Sequence, residues 1–143
     1  MLIGEYTHNL DAKGRFSVPA KFRAELGSSA VVTRGLDKCL FLYPKAEWEA
    51  MANRLASLPI SSSSARSFGR MMLSGAMEVE IDKLGRALLP GYLREYAGIK
   101  GSVVVTGVFN RAEIWDKQTW DAYSNEANAS AEANAEKLSD WEI

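Results

Sequence analysis

An internal repeat constrains the fold of this chain more than any other feature of its sequence. The segment Asp11–Gly27 reads DAKGRFSVPAKFRAELG, and the segment Asp82–Gly98 reads DKLGRALLPGYLREYAG. Six of their seventeen positions agree without a gap, at an offset of 71 residues. One inserted residue extends the match to the paired tryptophans Trp48 and Trp120. Because at least three units must stack to make a solenoid, two copies predict a pseudo-two-fold pair instead.

Each copy contains the same succession of predicted elements. In the second copy, Met77–Ile81 alternates apolar and polar residues as a half-buried strand does, and Ala87–Leu89 follows after a turn. These two segments predict a short β-hairpin whose turn glycine adopts positive φ. Pro19 and Pro90 then stand where a helix begins, because proline leaves no backbone donor unused in the first helical turn.

The rest of the chain predicts further strands, a helical connector and a tail. Strand-like segments follow each predicted repeat helix, and Pro44 opens a helix whose apolar residues recur at helical spacing. Four serines at residues 61–64 supply a linker and N-caps for a second connector helix. Residues 118–143 predict a solvated terminal helix. The expected organisation is module 1 at residues 5–47, a helical connector at 48–75, module 2 at 76–119 and a helical tail at 120–143.

Composition and targeting signals exclude several classes of protein. The 143 residues are 47% hydrophobic and 24% charged, as in ordinary globular proteins. The single cysteine, Cys39, cannot form an internal disulfide, and with the single histidine, His8, it offers too few ligands for structural zinc. No apolar stretch approaches the ~20 residues of a membrane span. We therefore expect a cytoplasmic protein with no cofactor, no metal, no membrane partner and no small-molecule substrate.

The formal net charge of −1 hides a strong asymmetry along the chain. Residues 1–120 have a formal net charge of +4, whereas the segment from Asp121 onward carries six acidic residues and one lysine. The repeated segments are basic where they match, with +3 over residues 11–23 and +2 over residues 82–94. Arg23 and Arg94 contribute to this charge, although solvated helix positions explain them equally well. Any contact with nucleic acid is therefore expected to be confined to a small basic surface and not spread over the whole protein.

Arg15 and Arg86 are the most informative matched residues, because both follow a turn glycine directly. A guanidinium is a permanently charged, planar set of donors that suits phosphate oxygens or the O6 and N7 atoms of guanine. The alternative is a surface ion pair in which Asp11 and Asp82 hold these arginines and fix the turn. From residue chemistry alone, both interpretations remain open.

No residue or motif indicates a catalytic centre. His8 has no second histidine nearby in the sequence, and Cys39 lies among apolar neighbours, which predicts a buried and unreactive thiol. The paired tryptophans predict core packing rather than base stacking. A hydrolase or transferase that uses Asp11, Asp82 or His8 remains an alternative, but carboxylates in repeated turns are better explained as turn residues.

Several motifs agree in order and spacing through about Tyr123. They are the doubled Asp-x-x-Gly-Arg turn, the opening MLIGEYTHNLDAKGR, the segment TRGLDKCLFLYP and the segment AEIWDKQTWDAY. Together they resemble the MraZ family of bacterial transcriptional regulators, which contain two SpoVT-AbrB modules. The tail carries no motif that matches the family.

The resemblance implies a fold, an assembly and a function. The expected fold is α+β, a tandem AbrB-like swapped-hairpin β-barrel that forms a pseudo-dimer within one chain, with peripheral helices. The expected partners are double-stranded promoter DNA and copies of the chain itself, in an octameric or dodecameric ring. The resemblance also implies that the protein is not an enzyme. It would bind tandem short G-rich repeats in the nucleoid and repress its own gene and the division and cell wall gene cluster.

The resemblance also assigns roles to residues in the repeated turns. It implies that Arg15 and Arg86 contact DNA and that the flanking Lys13 and Lys83, one register apart, assist them. Leu84 stands at the position equivalent to Lys13, so the two turns are expected to be unequal readers. The turn-shaping residues are expected to be Asp11, Gly14, Asp82 and Gly85. An AbrB-like interaction module whose arginines make subunit contacts is the alternative.

Overall fold

A computed structural model describes residues 1–142 as an α+β fold built from antiparallel strands. The strands are β1 (Leu2–Asn9), β2 (Arg15–Ser17), β3 (Ser29–Arg34), β4 (Leu40–Tyr43), β5 (Met77–Glu80), β6 (Arg86–Leu88), β7 (Ser102–Phe109) and β8 (Ala112–Asp116). The helices are α1 (Ala20–Leu26), α2 (Lys45–Ala56), α3 (Ser63–Ser74), α4 (Gly91–Tyr96), α5 (Lys117–Ala129) and α6 (Ala131–Lys137), followed by a 3₁₀ turn at Ser139–Trp141. None of these helices is long and apolar enough to cross a membrane.

The two repeats exchange strands reciprocally. Strand β1 of the first repeat pairs along eight residues with β7 of the second. Strand β5 of the second repeat, which is equivalent to β1, pairs along four residues with β3 of the first. The equivalent strands β2 and β6 pair with each other as a separate two-stranded ribbon. The strand pairing therefore follows the pseudo-two-fold relation that the repeat predicts.

The sequence predicts that Met77–Ile81 and Ala87–Leu89 pair with each other as a local hairpin. This prediction is wrong, because each of the two strands forms its ladder with a strand of the first repeat. The turn between them does form, because the Asp82 backbone N–H donates to the Arg86 carbonyl at 2.9 Å and one bridge joins Ile81 to Ala87. However, β5 continues along β3, and β6 continues along β2. Both copies carry the same pattern, so the sequence does not distinguish a local partner from one in the other copy.

The larger sheet is open. Its six strands lie in the order β1-β7-β8-β4-β3-β5, with β1 and β5 at the edges. Over residues 1–142, no strand ladder joins these two edges or connects the sheet to the β2–β6 ribbon, and no closed barrel is seen. The α+β class with two repeats is therefore confirmed, whereas the AbrB-like swapped-hairpin barrel stays a prediction.

Both faces of the sheet are covered. On one face the ribbon, α1 and α4 pack against alternating residues of the central strands, including Leu40 and Leu42. On the opposite face α2, α3 and α5 pack against Phe41, Tyr43 and Trp115. Strand β4, with the sequence LFLY, is therefore buried at all of its four positions. When both faces of a strand are covered, its sequence is continuously apolar and does not alternate between apolar and polar residues.

Most helix boundaries agree with the sequence pattern. Helices α1 and α4 begin directly after Pro19 and Pro90, and α2 begins after Pro44. Ser62 caps α3, since its side chain accepts from the backbone N–H of Ala65 at 3.2 Å. The terminal segment predicted as one helix is divided at Ser130 into α5 and α6. The expected module ends at residues 47 and 119 fall inside α2 and α5.

Candidate nucleic-acid interface

The first repeated turn is built around the side chain of Asp11. Its Oδ1 accepts the backbone N–H groups of Lys13 and Arg15, both at 2.9 Å, and its Oδ2 accepts from Arg15 Nε at 2.6 Å. Gly14 closes the turn with φ +82° and donates to the Asp11 carbonyl at 3.0 Å. One carboxylate therefore shapes the turn and fixes the direction of the guanidinium that follows it.

The second turn repeats this arrangement. Asp82 Oδ1 accepts the backbone N–H groups of Leu84 at 3.0 Å and Arg86 at 2.8 Å, and Oδ2 accepts from Arg86 Nε at 2.9 Å. Gly85 has φ +78° and donates to the Asp82 carbonyl at 2.9 Å. A residue with a Cβ is strained at such a φ, so the repeated glycine is a requirement of the turn.

The ion pair and a DNA contact are compatible in this geometry. Each arginine uses only Nε toward its aspartate, and no hydrogen bond within residues 1–142 uses the terminal nitrogens of Arg15 or Arg86. The two side chains are 27% and 34% exposed. Each guanidinium is therefore held at one edge and presents its terminal edge for an external acceptor.

Hydrogen bonds to the carboxylates lower the pKa values of both turn aspartates. For Asp11 the largest influence is the backbone N–H of Arg15, and for Asp82 it is the backbone N–H of Arg86. In each turn the guanidinium of the same arginine lowers the pKa further. The ionised form is favoured because every one of these donors points at a carboxylate oxygen.

We therefore predict that both aspartates titrate below about 3.9, the ordinary pKa of aspartic acid. A lowered folded pKa contributes stability that is complete above the unfolded pKa and is lost as pH falls through the folded value. Carboxyl ¹³C shifts recorded against pH would measure both pKa values. The variant Arg15→Ala keeps the backbone donor, so the pKa of Asp11 should rise only part of the way while that of Asp82 stays unchanged. A wild-type Asp11 that titrates at or above the ordinary value would contradict this account.

The β2–β6 ribbon brings the two arginines onto one surface. Arg15 pairs with Leu88 and Arg86 with Ser17, while Phe16 and Ala87 pair between them and are buried. Side chains alternate along a strand, so Arg15, Ser17, Arg86 and Leu88 share the outer face. Strand rise and spacing place the Cα atoms of the two arginines about 8 Å apart. The structure thus brings the matched arginines together as neighbours on one exposed ribbon face.

Each turn is also tied to the other repeat. The carbonyl of Gly14 accepts from Leu89 N at 3.1 Å, and the carbonyl of Gly85 accepts from Val18 N at 2.8 Å. The four residues come from two segments that are equivalent in the repeat, so the bonds are reciprocal. Neither turn can shift without breaking a backbone hydrogen bond to the other copy.

Arg23 and Arg94 lie at the turns rather than on an unrelated solvated surface. The guanidinium of Arg23 packs over Gly85, and that of Arg94 packs over Gly14, where a Cβ would lie 2.9 Å from Cζ. Arg23 Nε also donates to the Val18 carbonyl at 3.0 Å. Each turn therefore carries a second arginine from the other repeat. Sequence reasoning left this role open, and the signal that points to it is that both arginines are matched positions.

The two halves of the ribbon differ in chemistry. The first turn carries Lys13 and is followed by Ser17, whereas the equivalent positions of the second repeat carry Leu84 and Leu88. Both leucines are exposed. Lys83 lies in the second turn, one position before the equivalent of Lys13, and its side chain is exposed. Lys83 therefore lies one residue further from its arginine along the chain than Lys13 does.

Comparison with known proteins gives matches over the whole chain. The model of the family described as "MraZ protein, putative antitoxin-like" matches residues 1–71 and again residues 72–141. Proteins named "Transcriptional regulator MraZ" from Natranaerobius thermophilus and Thermoanaerobacter sp. are each 50% identical over 143 residues, covering 100% of both chains. The protein of that name from Desulforamulus reducens is 51% identical over 140 residues, 98% of this chain and 99% of its own.

The chain belongs to the MraZ family. The family assignment confirms the resemblance read from the repeated turns, and the two matched ranges confirm the repeat. MraZ is a family of transcriptional regulators and not of enzymes. The hydrolase or transferase alternative is thereby excluded, in agreement with the engagement of both turn carboxylates by backbone donors and arginine.

Three other features of this MraZ-family chain arise from its sequence: His8, Cys39 and the paired tryptophans. His8 lies in β1 opposite Val103. Cys39 is buried, and desolvation of its thiolate raises the pKa of the thiol strongly. Trp48 and Trp120 pack against the core beneath α2 and α5, which confirms the prediction of core packing. Among residues 1–142, no three His, Cys, Asp or Glu side chains are grouped so as to hold a metal ion.

Proposed function

We propose that this chain is a transcriptional regulator that binds double-stranded promoter DNA through the outer face of the β2–β6 ribbon. One observation carries the proposal: Arg15 and Arg86 are each fixed by an aspartate on that face, and no hydrogen bond within residues 1–142 engages their terminal nitrogens. The names of the relatives, which are transcriptional regulators, support the same function.

The geometry of the ribbon suits a groove of DNA. The major groove is about 12 Å wide and admits a two-stranded ribbon. A guanidinium can donate to both O6 and N7 of guanine, and one such contact is worth about 1–3 kcal/mol of discrimination. Lys13 and Lys83 would add attraction to phosphates that does not depend on sequence. Arg15 and Arg86 are therefore the proposed readers, and the two lysines the proposed auxiliary contacts.

The proposal extends to fold and assembly. The reciprocal exchange of β1 and β5 supports an AbrB-like swapped-hairpin arrangement, with module 1 at residues 5–47 and module 2 at residues 76–119. One chain offers few contacts, so copies arranged as an octameric or dodecameric ring would bind tandem short G-rich repeats more tightly. Later contacts in such a ring are intramolecular, and the avidity gain is about 10²–10⁴. The proposed outcome is repression of its own gene and of the division and cell wall gene cluster in the nucleoid.

Footprinting on DNA upstream of the chain's own gene, combined with binding titrations across salt, tests this function. We expect protection of regularly spaced repeats, tighter binding to the tandem set than to one repeat, and an affinity that falls steeply as salt rises. Absence of protection there would contradict autoregulation. Equal affinity for one repeat and for the tandem set would contradict the avidity account.

The second candidate is an interaction module whose arginines contact another subunit. It is favoured by the same exposed guanidinium edges, since a carboxylate accepts them as readily as a phosphate does. The two functions differ in their expected response to Arg15→Ala. A subunit contact would change the mass of the assembly at every DNA concentration, whereas a DNA contact would change affinity and leave the mass of the free protein unaltered.

A further inference from the structure

An open groove lies between α2 and α3, on the opposite side of the sheet from the ribbon. It has a volume of about 280 Å³, and its lining includes Leu55, Leu58, Ile60, Arg66, Gly69 and Arg70. Leu58 and Ile60 are 41% and 84% exposed. The groove can therefore take one aromatic or aliphatic anchor, and apolar side chains at its rim remain uncovered within residues 1–142.

The connector around this groove is basic and contains no acidic residue. Residues 50–77 carry Arg54, Arg66 and Arg70 and not a single Asp or Glu. In the described part of the chain, none of these three arginines forms an ion pair, and all three are exposed. An occupant of the groove would therefore gain from a negative charge placed beside an apolar anchor.

The C-terminal tail has the complementary chemistry. Residues 131–142 carry four acidic residues and one lysine, with Glu132, Glu136 and Asp140 at four-residue spacing. Trp141 is 75% exposed and Leu138 is 42% exposed. Trp141 lies three positions after Leu138, so the two side chains lie on the same side of a helical segment. The tail thus presents an apolar pair beside an acidic row.

We propose that the tail of a second copy of this chain docks in the α2–α3 groove. Trp141 would fill the groove, Leu138 would pack against the exposed Leu58 and Ile60 at its rim, and the acidic residues would face Arg54, Arg66 and Arg70. The occupant is a second copy because residues 132–142 are exposed in their own chain, and their helix α6 contacts only α5 and the following 3₁₀ turn to a substantial extent. The inference deepens the oligomeric part of the proposed function and rests on it.

The contact would be heterologous, because the groove and the tail are different surfaces. Each copy would offer one groove and one tail, so a rotation that closes gives a ring and one that does not gives an open filament. The groove lies on the α2, α3 and α5 side of the sheet, whereas Arg15 and Arg86 lie on the ribbon side. Assembly through this contact would leave the DNA-facing ribbon free.

Gly69 gives a sharp test, because a Cβ added there meets nothing within 4 Å. Gly69→Leu should fold and fill the groove, while Gly69→Ala is the matched control that leaves most of it open. We expect light scattering after size exclusion to show a mass of several chains for wild type and for Gly69→Ala. Gly69→Leu and Trp141→Ala should fall to the 15.7 kDa monomer. A monomeric wild type, or variants that keep the wild-type mass, would overturn the proposal.

Charge reversal tests the acidic row separately. The pair Arg66→Glu with Arg70→Glu should shift the assembly to monomer, and adding Glu136→Arg with Asp140→Arg in the same chain should restore the larger mass. Loss of DNA affinity with an unchanged mass would show that these arginines serve DNA phosphates and would overturn the docking. Gly69→Leu should still bind a single DNA site, so failure of the docking is distinguishable from failure of DNA binding.

Cross-linking identifies the copy that supplies the tail. Cys39 is buried, so an introduced cysteine is the accessible thiol of each variant. A mixture of Gly69→Cys chains with Trp141→Cys chains should form a disulfide-linked dimer under mild oxidation, and neither variant alone should do so. A chain with both substitutions that closes on itself as a monomer would show the tail in its own groove and would overturn the second copy as occupant.

Discussion

Replacing Arg15 or Arg86 with alanine is expected to weaken binding to promoter DNA by about 5- to 150-fold each, the equivalent of one lost arginine–guanine contact. The double variant should lose specific binding almost completely, because both guanidiniums project from the same ribbon face. The turns should still form, since the backbone N–H groups of both residues continue to donate to Asp11 and Asp82. Gel-shift titrations with a folded-state check by circular dichroism would measure the effect.

Two controls separate the possible roles of these arginines. Lys137→Ala removes an exposed positive charge from α6, which makes its substantial contacts only with α5 and the following 3₁₀ turn, and should leave affinity nearly unchanged. Arg15→Lys keeps the charge but loses the planar set of donors, so restored affinity would indicate a phosphate contact and continued loss a base contact. Unchanged binding by Arg15→Ala and Arg86→Ala, with both variants folded, would show that the ribbon is not the reading surface.

Neither half of the chain is expected to fold as a monomer. A fragment of residues 1–60 would leave β1 without its eight partners in β7, β2 without β6, β3 without β5, and β4 without β8. The apolar cluster between the ribbon and the sheet draws residues from both repeats, including Phe16 and Phe22 from the first and Leu89 and Leu93 from the second. Removing one half would therefore expose most of the core as well as four strand edges.

Circular dichroism and native mass measurements on residues 1–60, residues 61–142 and their mixture would check this expectation. Each fragment alone should be unfolded at low concentration, and the mixture should recover one folded heterodimer. The chain cleaved between residues 60 and 61, in the exposed connector between α2 and α3, is the matched control and should stay folded. A folded monomer of either fragment would show that the exchange of strands is dispensable.

The sequence predicts where most helices and strands lie, but it does not predict which strands pair with each other. The repeat, the prolines before α1 and α4 and the serine cap of α3 depend on local rules, so they are readable without tertiary structure. The choice between a local hairpin and the exchange of β5 onto β3 depends on long-range packing. Two copies with the same alternation satisfy the local rules equally in either arrangement, and only the shared core decides between them.

The candidate site divides in the same way. The turn residues Asp11 and Gly14, and the arginine after them, follow from turn chemistry and from the repeat. The packing of Arg23 over Gly85 and of Arg94 over Gly14 does not, because it depends on a crossing between the repeats. A matched arginine on a helix reads as a solvated residue until the partner turn is placed beside it.

The two ends of the β2–β6 ribbon differ, which gives the ribbon a direction. Lys13 in the first repeat corresponds to Leu84 in the second, and Ser17 corresponds to Leu88. A reader made from two identical chains is symmetric and matches palindromic half-sites. A single chain that contains both halves is free to diverge between them, so its ribbon has a front and a back. If this ribbon reads DNA as proposed, it would select an orientation on the duplex, and neighbouring copies that all point the same way would match direct repeats rather than inverted ones.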